Sequence, residues 1–180
     1  MLSAAWTVGA LLWLAATGRS LQVVPNSPCE SVCNPAQFGT TQDDIVCLDS
    51  DYTATTNGSR FERCVSCELT SSAIDPKTGT SDPLWALYNL RYAVSECMFG
   101  FPAQIISPSS PCQVSCQPLS PGVTMGLQSN ASSTDLSFCN AGNFTDGLIS
   151  QCVFCYGLLD QQKYIANCTP PPSGQPRCLS

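Results

Sequence analysis

Apolar positions recur with helical spacing most clearly between residues 81 and 97. The residues that repeat at three- and four-residue intervals are Leu84, Leu87, Tyr88, Arg91 and Tyr92. This spacing places them on one stripe of an α-helix that starts at Ser81-Asp82-Pro83 and runs towards Cys97. Trp85 lies on the flank of the stripe.

The sequence predicts three further helix starts. Ser27–Glu30 and Ser110–Gln113 each combine an N-cap serine, a proline at the first position and Glu or Gln three residues on. Pro35 and Pro118 then predict that both helices end after one or two turns. Ser59–Glu62 is another capping box, and it opens a helix with Phe61, Cys64, Val65 and Leu69 on one stripe. Ile45–Leu48 is the one strand candidate, and it is short.

The first twenty residues have the pattern of a secretory signal. An apolar run from Ala4 to Ala16 is too short to span a bilayer, which takes about 20 residues. Small residues follow, so cleavage is expected after Gly18 or after Ser20, and the mature chain then begins at Arg19 or Leu21. An N-terminal anchor or a buried helix is the alternative. The cysteines that follow favour export, because they require an oxidising compartment.

Composition narrows the function classes. The chain has 13 Cys, no His and a formal net charge of −6. Without His there is no Ser-His-Asp or Cys-His catalysis, and the acidic balance argues against a nucleic-acid partner. No second apolar run is long enough for a membrane span, and the Pro-rich tail does not resemble a lipid-anchor signal.

The cysteines occur in the same order twice: C-x3-C, a lone Cys, C-x2-C, and a last Cys preceded by a basic-Tyr pair. The sequence therefore predicts a small, mainly α, disulfide-rich fold made of two diverged tandem six-cysteine helical modules with long loops. The expected segments are a signal peptide at 1–20, module 1 at 21–100, a linker at 101–111, module 2 at 112–169 and a tail at 170–180.

Six cysteines allow 15 pairings in each module, and helical geometry favours one of them. Cysteines four or three apart project from one helix face, so two antiparallel helices can be bridged twice. The expected pairs are Cys29–Cys67, Cys33–Cys64, Cys47–Cys97, Cys112–Cys155, Cys116–Cys152 and Cys139–Cys168. Cys178 is left over, either unpaired or bridging a second chain into a dimer.

Four Asn-x-Ser/Thr sequons also fit export. Asn57 and Asn130 lie in small-residue, turn-like stretches and are the preferred acceptors. Asn143 follows, and Asn167 ranks last because it adjoins a cysteine that is expected to be bridged.

Candidate chemistry is sparse, and no cofactor or catalytic residue is predicted. Disulfides are favoured over zinc for the two C-x2-C motifs, and a solvated loop over calcium for the acidic run Asp43–Asp51. A carboxylate pair drawn from Glu62, Glu68 and Glu96 is the remaining enzymatic possibility. Trp85, Tyr88 and Tyr92 could line a ligand groove, but their helical spacing favours a core.

The stretch from Asp44 to Pro102, including Asp82-Pro-Leu-Trp-Ala-Leu-Tyr-Asn-Leu-Arg-Tyr-Ala-Val94, resembles an uncharacterised family of filamentous-fungal extracellular proteins. Members are labelled hypothetical or LPXTG-like cell-wall glycoproteins. Many continue into a Ser/Thr-rich stretch and a transmembrane helix, whereas this sequence ends at Ser180. The resemblance implies no activity or site residue.

Together these features predict a secreted, N-glycosylated protein of the fungal cell surface or medium. Its expected role is binding or structural, not catalytic. Its extracellular partner is a cell-wall polymer or a host protein. The alternatives are a host-directed effector or elicitor and, with less support, a carboxylate-dependent secreted hydrolase.

Overall fold

The computed structural model describes residues 20–33, 39–103, 111–128, 136–141 and 144–159. This part of the chain is mainly helical and contains no strand, so Ile45–Leu48 does not become one. Its helices are α1 Glu30–Cys33, α2 Asp49–Ala54, α3 Thr56–Thr70, α4 Asp82–Phe99, α5 Pro111–Cys116, α6 Ser120–Thr124, α7 Phe138–Ala141 and α8 Asp146–Gly157. None of them is both long and apolar enough to cross a bilayer.

Two short helices are each bridged twice to a longer one. Cys29–Cys67 and Cys33–Cys64 join α1 to α3, with Cα–Cα distances of 5.7 and 4.7 Å. Cys112–Cys155 and Cys116–Cys152 join α5 to α8, with Cα–Cα distances of 5.4 and 4.9 Å. These four pairs are the expected ones, and all four separations lie within the usual range for disulfides.

The remaining cysteines separate into one confirmed pair and one that stays a prediction. Cys47 bridges Cys97 near the end of α4, as expected. Cys139 forms no disulfide in the structure. Its expected partner, Cys168, lies outside the described residues, as does Cys178, so nothing among the described residues could complete that bridge.

Helix α4 follows its sequence pattern closely. Ser81 is the N-cap, Pro83 lies in the first turn, and Gly100 ends the helix in the left-handed region at φ 65°. The helix packs on α3, on α5 and on α6. Helix α4 therefore contacts helices that precede it and helices that follow it in the chain.

One expected helix boundary is wrong. Helix α3 begins at Thr56, not at Ser59, because the Thr55 hydroxyl caps it by accepting from the Gly58 N–H. Glu62 consequently lies inside the helix, away from its N-terminus. Helix α5 ends at Cys116 after six residues, as Pro118 predicts, and Pro118 then occupies the first turn of a 3-10 segment at Gln117–Leu119, where no N–H is needed.

At the start of α1 the expected capping box is shifted by one residue. Ser27 Oγ accepts from the Cys29 N–H at 3.1 Å, while Glu30 reaches back to the Asn26 N–H at 2.8 Å. Two N–H groups just ahead of α1 are satisfied in this way, although a helix of four residues has little stability of its own.

Residues of the two expected cysteine modules pack together across α4. Met98 and Phe99 of α4 pack with Leu119 and Tyr156 of the second module, and the Tyr156 hydroxyl donates to Met98 O at 3.3 Å. Arg91 donates to the carbonyls of Val123 and Met125 at the end of α6. Phe101, the first residue of the expected linker, is itself buried.

We predict that removing one bridge from either double disulfide lowers the free energy of unfolding by a similar amount. The closed loops span 31 residues for Cys33–Cys64 and 43 for Cys112–Cys155, for which loop entropy gives about 3.5–4 kcal/mol. Urea unfolding of the double variants C33A/C64A and C112A/C155A measures the loss. A loss below about 1 kcal/mol in either variant would show that packing, not the bridge, holds that helix pair.

Candidate functional site

A row of aromatic rings lies along one side of α4. The rings of Trp85 and Tyr88 meet edge to face at 5.5 Å between centroids, and those of Tyr92 and Phe101 do so at 5.4 Å. The rings of Tyr88 and Tyr92, one from each pair, connect the pairs at 6.3 Å between centroids. Leu127 packs on the row, and the Tyr88 hydroxyl donates to its carbonyl at 3.2 Å. The helical spacing that predicted a core is therefore confirmed for the two tyrosines, which are buried.

The same row forms the floor of a cleft of about 220 Å³. Tyr88, Tyr92 and Phe101 supply the apolar part of the lining. Gln22, Thr40 and Gln128 supply polar side chains from three separate segments of the chain. No charged side chain lines the described walls of the cleft.

The tyrosine hydroxyls keep the cleft neutral. Burial raises the pKa of Tyr92 to about 12, and the neighbouring Tyr88 and Glu96 add to this effect. Burial also raises the pKa of Tyr88, against a smaller opposing effect of Arg91. Both side chains therefore remain protonated at ordinary pH and can donate a hydrogen bond.

Gln22 of the cleft wall belongs to a segment without regular secondary structure, Ser20–Val24, which we call the N-terminal strap. Its apolar side chains, including Leu21 and Val23, are buried against α1, α3 and α4. Leu21 N–H donates to Cys33 O at 3.3 Å, and Val24 N–H donates to Asp82 Oδ1 at 3.0 Å. The strap is thus anchored at both ends without a neighbouring strand.

Asn89 of α4 holds the middle of the strap. Its Oδ1 accepts from Gln22 N–H at 3.1 Å and from the Thr40 hydroxyl at 2.7 Å. Its Nδ2 donates to Gln22 O at 2.8 Å and to the Glu68 carboxyl at 3.1 Å. One buried amide therefore positions two polar residues of the cleft wall.

Glu68 lies fully buried behind Asn89. Burial is the main cause that raises its pKa to about 9, the nearby Asp82 raises it further, and the hydrogen bond from Asn89 opposes both. Glu68 is therefore uncharged at neutral pH. A carboxyl oxygen of Glu68 and the two sulfurs of the Cys33–Cys64 bridge also lie within 4.8 Å of one another.

The three glutamates considered as a catalytic pair occupy different environments. Glu62 is exposed on α3, Glu68 is buried beneath the strap, and Glu96 on α4 accepts from the Gln42 amide at 2.8 Å. None of the three lines the cleft.

The acidic run is not a solvated loop, which corrects the expectation. Asp44 is buried and pairs with Arg60 at 2.7 Å, and it also accepts from the Thr41 N–H and hydroxyl. Burial nevertheless raises the pKa of Asp44, since desolvation outweighs these favourable contacts. Asp49 and Asp51 lie in the first turn of α2 instead, where negative charge suits the helix dipole.

Asn57, expected in a turn, lies in the first turn of α3. Its Nδ2 donates to Asp43 O at 2.9 Å, and the side chain is half-buried. Gly58 beside it touches the preceding helix so closely that an added Cβ would lie 2.3 Å from Tyr52 O. Close packing therefore accounts for the glycine in the middle of this sequon. Asn130, Asn143 and Asn167 lie outside the described residues, and glycosylation at all four stays a prediction.

Comparison of the chain with protein families, curated proteins and solved structures finds no match. The cleft and the cluster behind it must therefore be interpreted from their own chemistry.

We predict that the protein becomes less stable as pH rises from about 5 towards 9. The pKa of Glu68 is about 9 in the folded chain and near its ordinary value of 4.5 in the unfolded one. The unfolded chain therefore loses the proton first, and stability falls by up to about 1.4 kcal/mol per pH unit in this window. Urea unfolding at pH 5, 6, 7 and 8 measures the slope.

Glu68→Gln keeps the shape of the side chain and removes its titration, so this variant should flatten the slope. Glu62→Gln, an exposed glutamate on the same helix, is the matched control and should retain it. An unchanged slope in Glu68→Gln would show that other groups, such as Asp44, cause the pH dependence.

Proposed function

We propose that this chain is a secreted, non-catalytic binding protein of the fungal cell surface or its medium, and that the cleft over α4 holds its ligand. Five disulfides within the described residues fit an oxidising, extracellular compartment. The fungal assignment rests on the resemblance of the stretch from Asp44 to Pro102 to fungal extracellular proteins.

The single observation that carries the binding role is the composition of the cleft. Buried aromatic rings form its floor, and they are surrounded by the amide groups of Gln22 and Gln128 and by Thr40, whose hydroxyl donates to Asn89 Oδ1. Amides and hydroxyls both donate and accept hydrogen bonds, which suits a ligand whose hydroxyl groups do the same. An apolar floor with a polar rim and no charge fits one ring of a neutral saccharide.

The size of the cleft supports a small ligand over a protein partner. Pockets for drug-sized ligands measure roughly 300–1,000 Å³, so a cleft of about 220 Å³ accommodates a single small unit. A stable protein interface buries roughly 800 Å² on each partner and does not need such a recess. This comparison favours a cell-wall polysaccharide end over a host protein.

We predict that neutral oligosaccharides bind in this cleft. Titration of the isotope-labelled protein with soluble glucan, mannan and chitin oligomers should shift the amide resonances of Thr40, Tyr92 and Gln128. Gln128→Ala removes one exposed amide from the rim and should weaken binding several-fold, since one hydrogen bond is worth about 1 kcal/mol.

Gln151→Ala is the matched control, because Gln151 is an exposed glutamine on α8 that does not line the cleft. It should leave the affinity unchanged. Absence of shifts with all three oligomer classes, or equal losses in the two glutamine variants, would contradict the saccharide assignment.

We further predict that secreted protein begins at Arg19 and not at Leu21. Ser20 is fully buried, and its hydroxyl donates to Gly39 O at 3.0 Å. Cleavage after Ser20 would remove this bond and leave a charged amino group buried at Leu21, which is costly. Amino-terminal sequencing of the secreted protein decides between the two sites, and a chain starting at Leu21 would contradict the placement of the strap.

A further inference from the structure

The buried cluster behind the cleft contains more polar groups than packing needs. Glu68, Asp82 and Asn89 are each fully buried, at 0% exposure. Asn89 and Asp82 accept from the strap N–H groups of Gln22 and Val24, and Glu68 is linked to the strap through Asn89. Asp82 Oδ2 is also buried and has no hydrogen-bond partner. Two carboxyl groups thus share a dry space that holds the cleft wall.

Within the described part of the chain, no cationic side chain is paired with Glu68. Asp82 of α4 is the charged group that acts on it, and the effect is unfavourable to ionisation. On α3 itself, Arg60 pairs with Asp44. On the other side of α4, Arg91 is directed to the carbonyls of Val123 and Met125, and Glu30 of α1 accepts from Asn26.

We propose that neutral Glu68, acting through Asn89, is a positioning residue for the cleft, and that loss of its proton releases the N-terminal strap and Thr40. With Glu68 neutral, Asn89 holds Gln22 and Thr40 in the wall. An ionised Glu68 is not tolerated in the dry space beside Asp82, so the strap opens and admits water to the carboxylate. This proposal does not depend on the identity of the ligand.

The opening can remain local because the surrounding helices are covalently joined. Cys29–Cys67 and Cys33–Cys64 keep α1 on α3, and Cys47–Cys97 holds α4 to the preceding segment. The strap itself contains no cysteine. Releasing one proton upon opening makes the open population rise about tenfold per pH unit, from the pKa of the hydrated carboxyl up to that of the buried one.

Amide hydrogen exchange of the wild-type protein between pH 5.5 and 8 tests this opening. The probes are the N–H groups of Gln22 and Val24, which donate to Asn89 and Asp82. After correction for intrinsic exchange, their protection should fall about tenfold per pH unit. It should also stay below the protection of amides in the middle of α4, which require wider unfolding.

The matched pair Glu68→Gln and Glu62→Gln assigns the effect. In Glu68→Gln the protection of both strap amides should no longer depend on pH, whereas Glu62→Gln should behave as wild type. The proposal is overturned if wild-type strap protection is independent of pH, if it equals that of α4 at every pH, or if its slope persists in Glu68→Gln.

Discussion

The double disulfide between a one-turn helix and a longer helix is the constraint on which the rest of the structure depends. Helix α1 has four residues and α5 has six, lengths that do not persist in water without tertiary support. Two bridges fix each short helix on its partner in both position and direction. The inner and outer Cα–Cα distances are nearly the same in the two copies, so one local solution is used twice and α4 packs between them.

This covalent frame permits an interior that packing alone would not hold. Buried Glu68 and Asp82 lower stability, because each removes a carboxyl group from water with limited compensation, whereas the amide of Asn89 is hydrogen-bonded at both its oxygen and its nitrogen. The bridges offset that cost by restricting the unfolded chain. The buried polar groups in turn supply what the strap lacks, namely hydrogen-bond partners for the backbone of Gln22 and Val24. The cleft is lined in part by Gln22, whose backbone Asn89 holds in place.

The sequence was sufficient wherever a local rule decided the structure. Cysteines four and three residues apart on helices favour one antiparallel double bridge, and Ser81-Asp82-Pro83 defines the start of α4. Prediction was wrong where two local rules competed. Thr55 caps α3 ahead of the Ser59 box.

The candidate site was only partly visible in the sequence. Tyr88 and Tyr92 were named from their spacing on α4, but Gln22, Thr40 and Gln128 come from distant segments that only the fold brings together. Neither Glu68 nor Asn89 belongs to a motif that marks it as buried. A glutamate on the same face as Phe61, Cys64 and Val65 was the available signal, since all four positions are buried in α3.

Disulfide mapping of the secreted protein under non-reducing conditions tests the central claim most directly. Proteolysis followed by mass spectrometry should recover Cys29–Cys67, Cys33–Cys64, Cys47–Cys97, Cys112–Cys155 and Cys116–Cys152, as the structure has them. A bridge between any cysteine of residues 29–97 and any of residues 112–168 would contradict the duplicated double bridge, and with it the frame that positions the strap and the cleft.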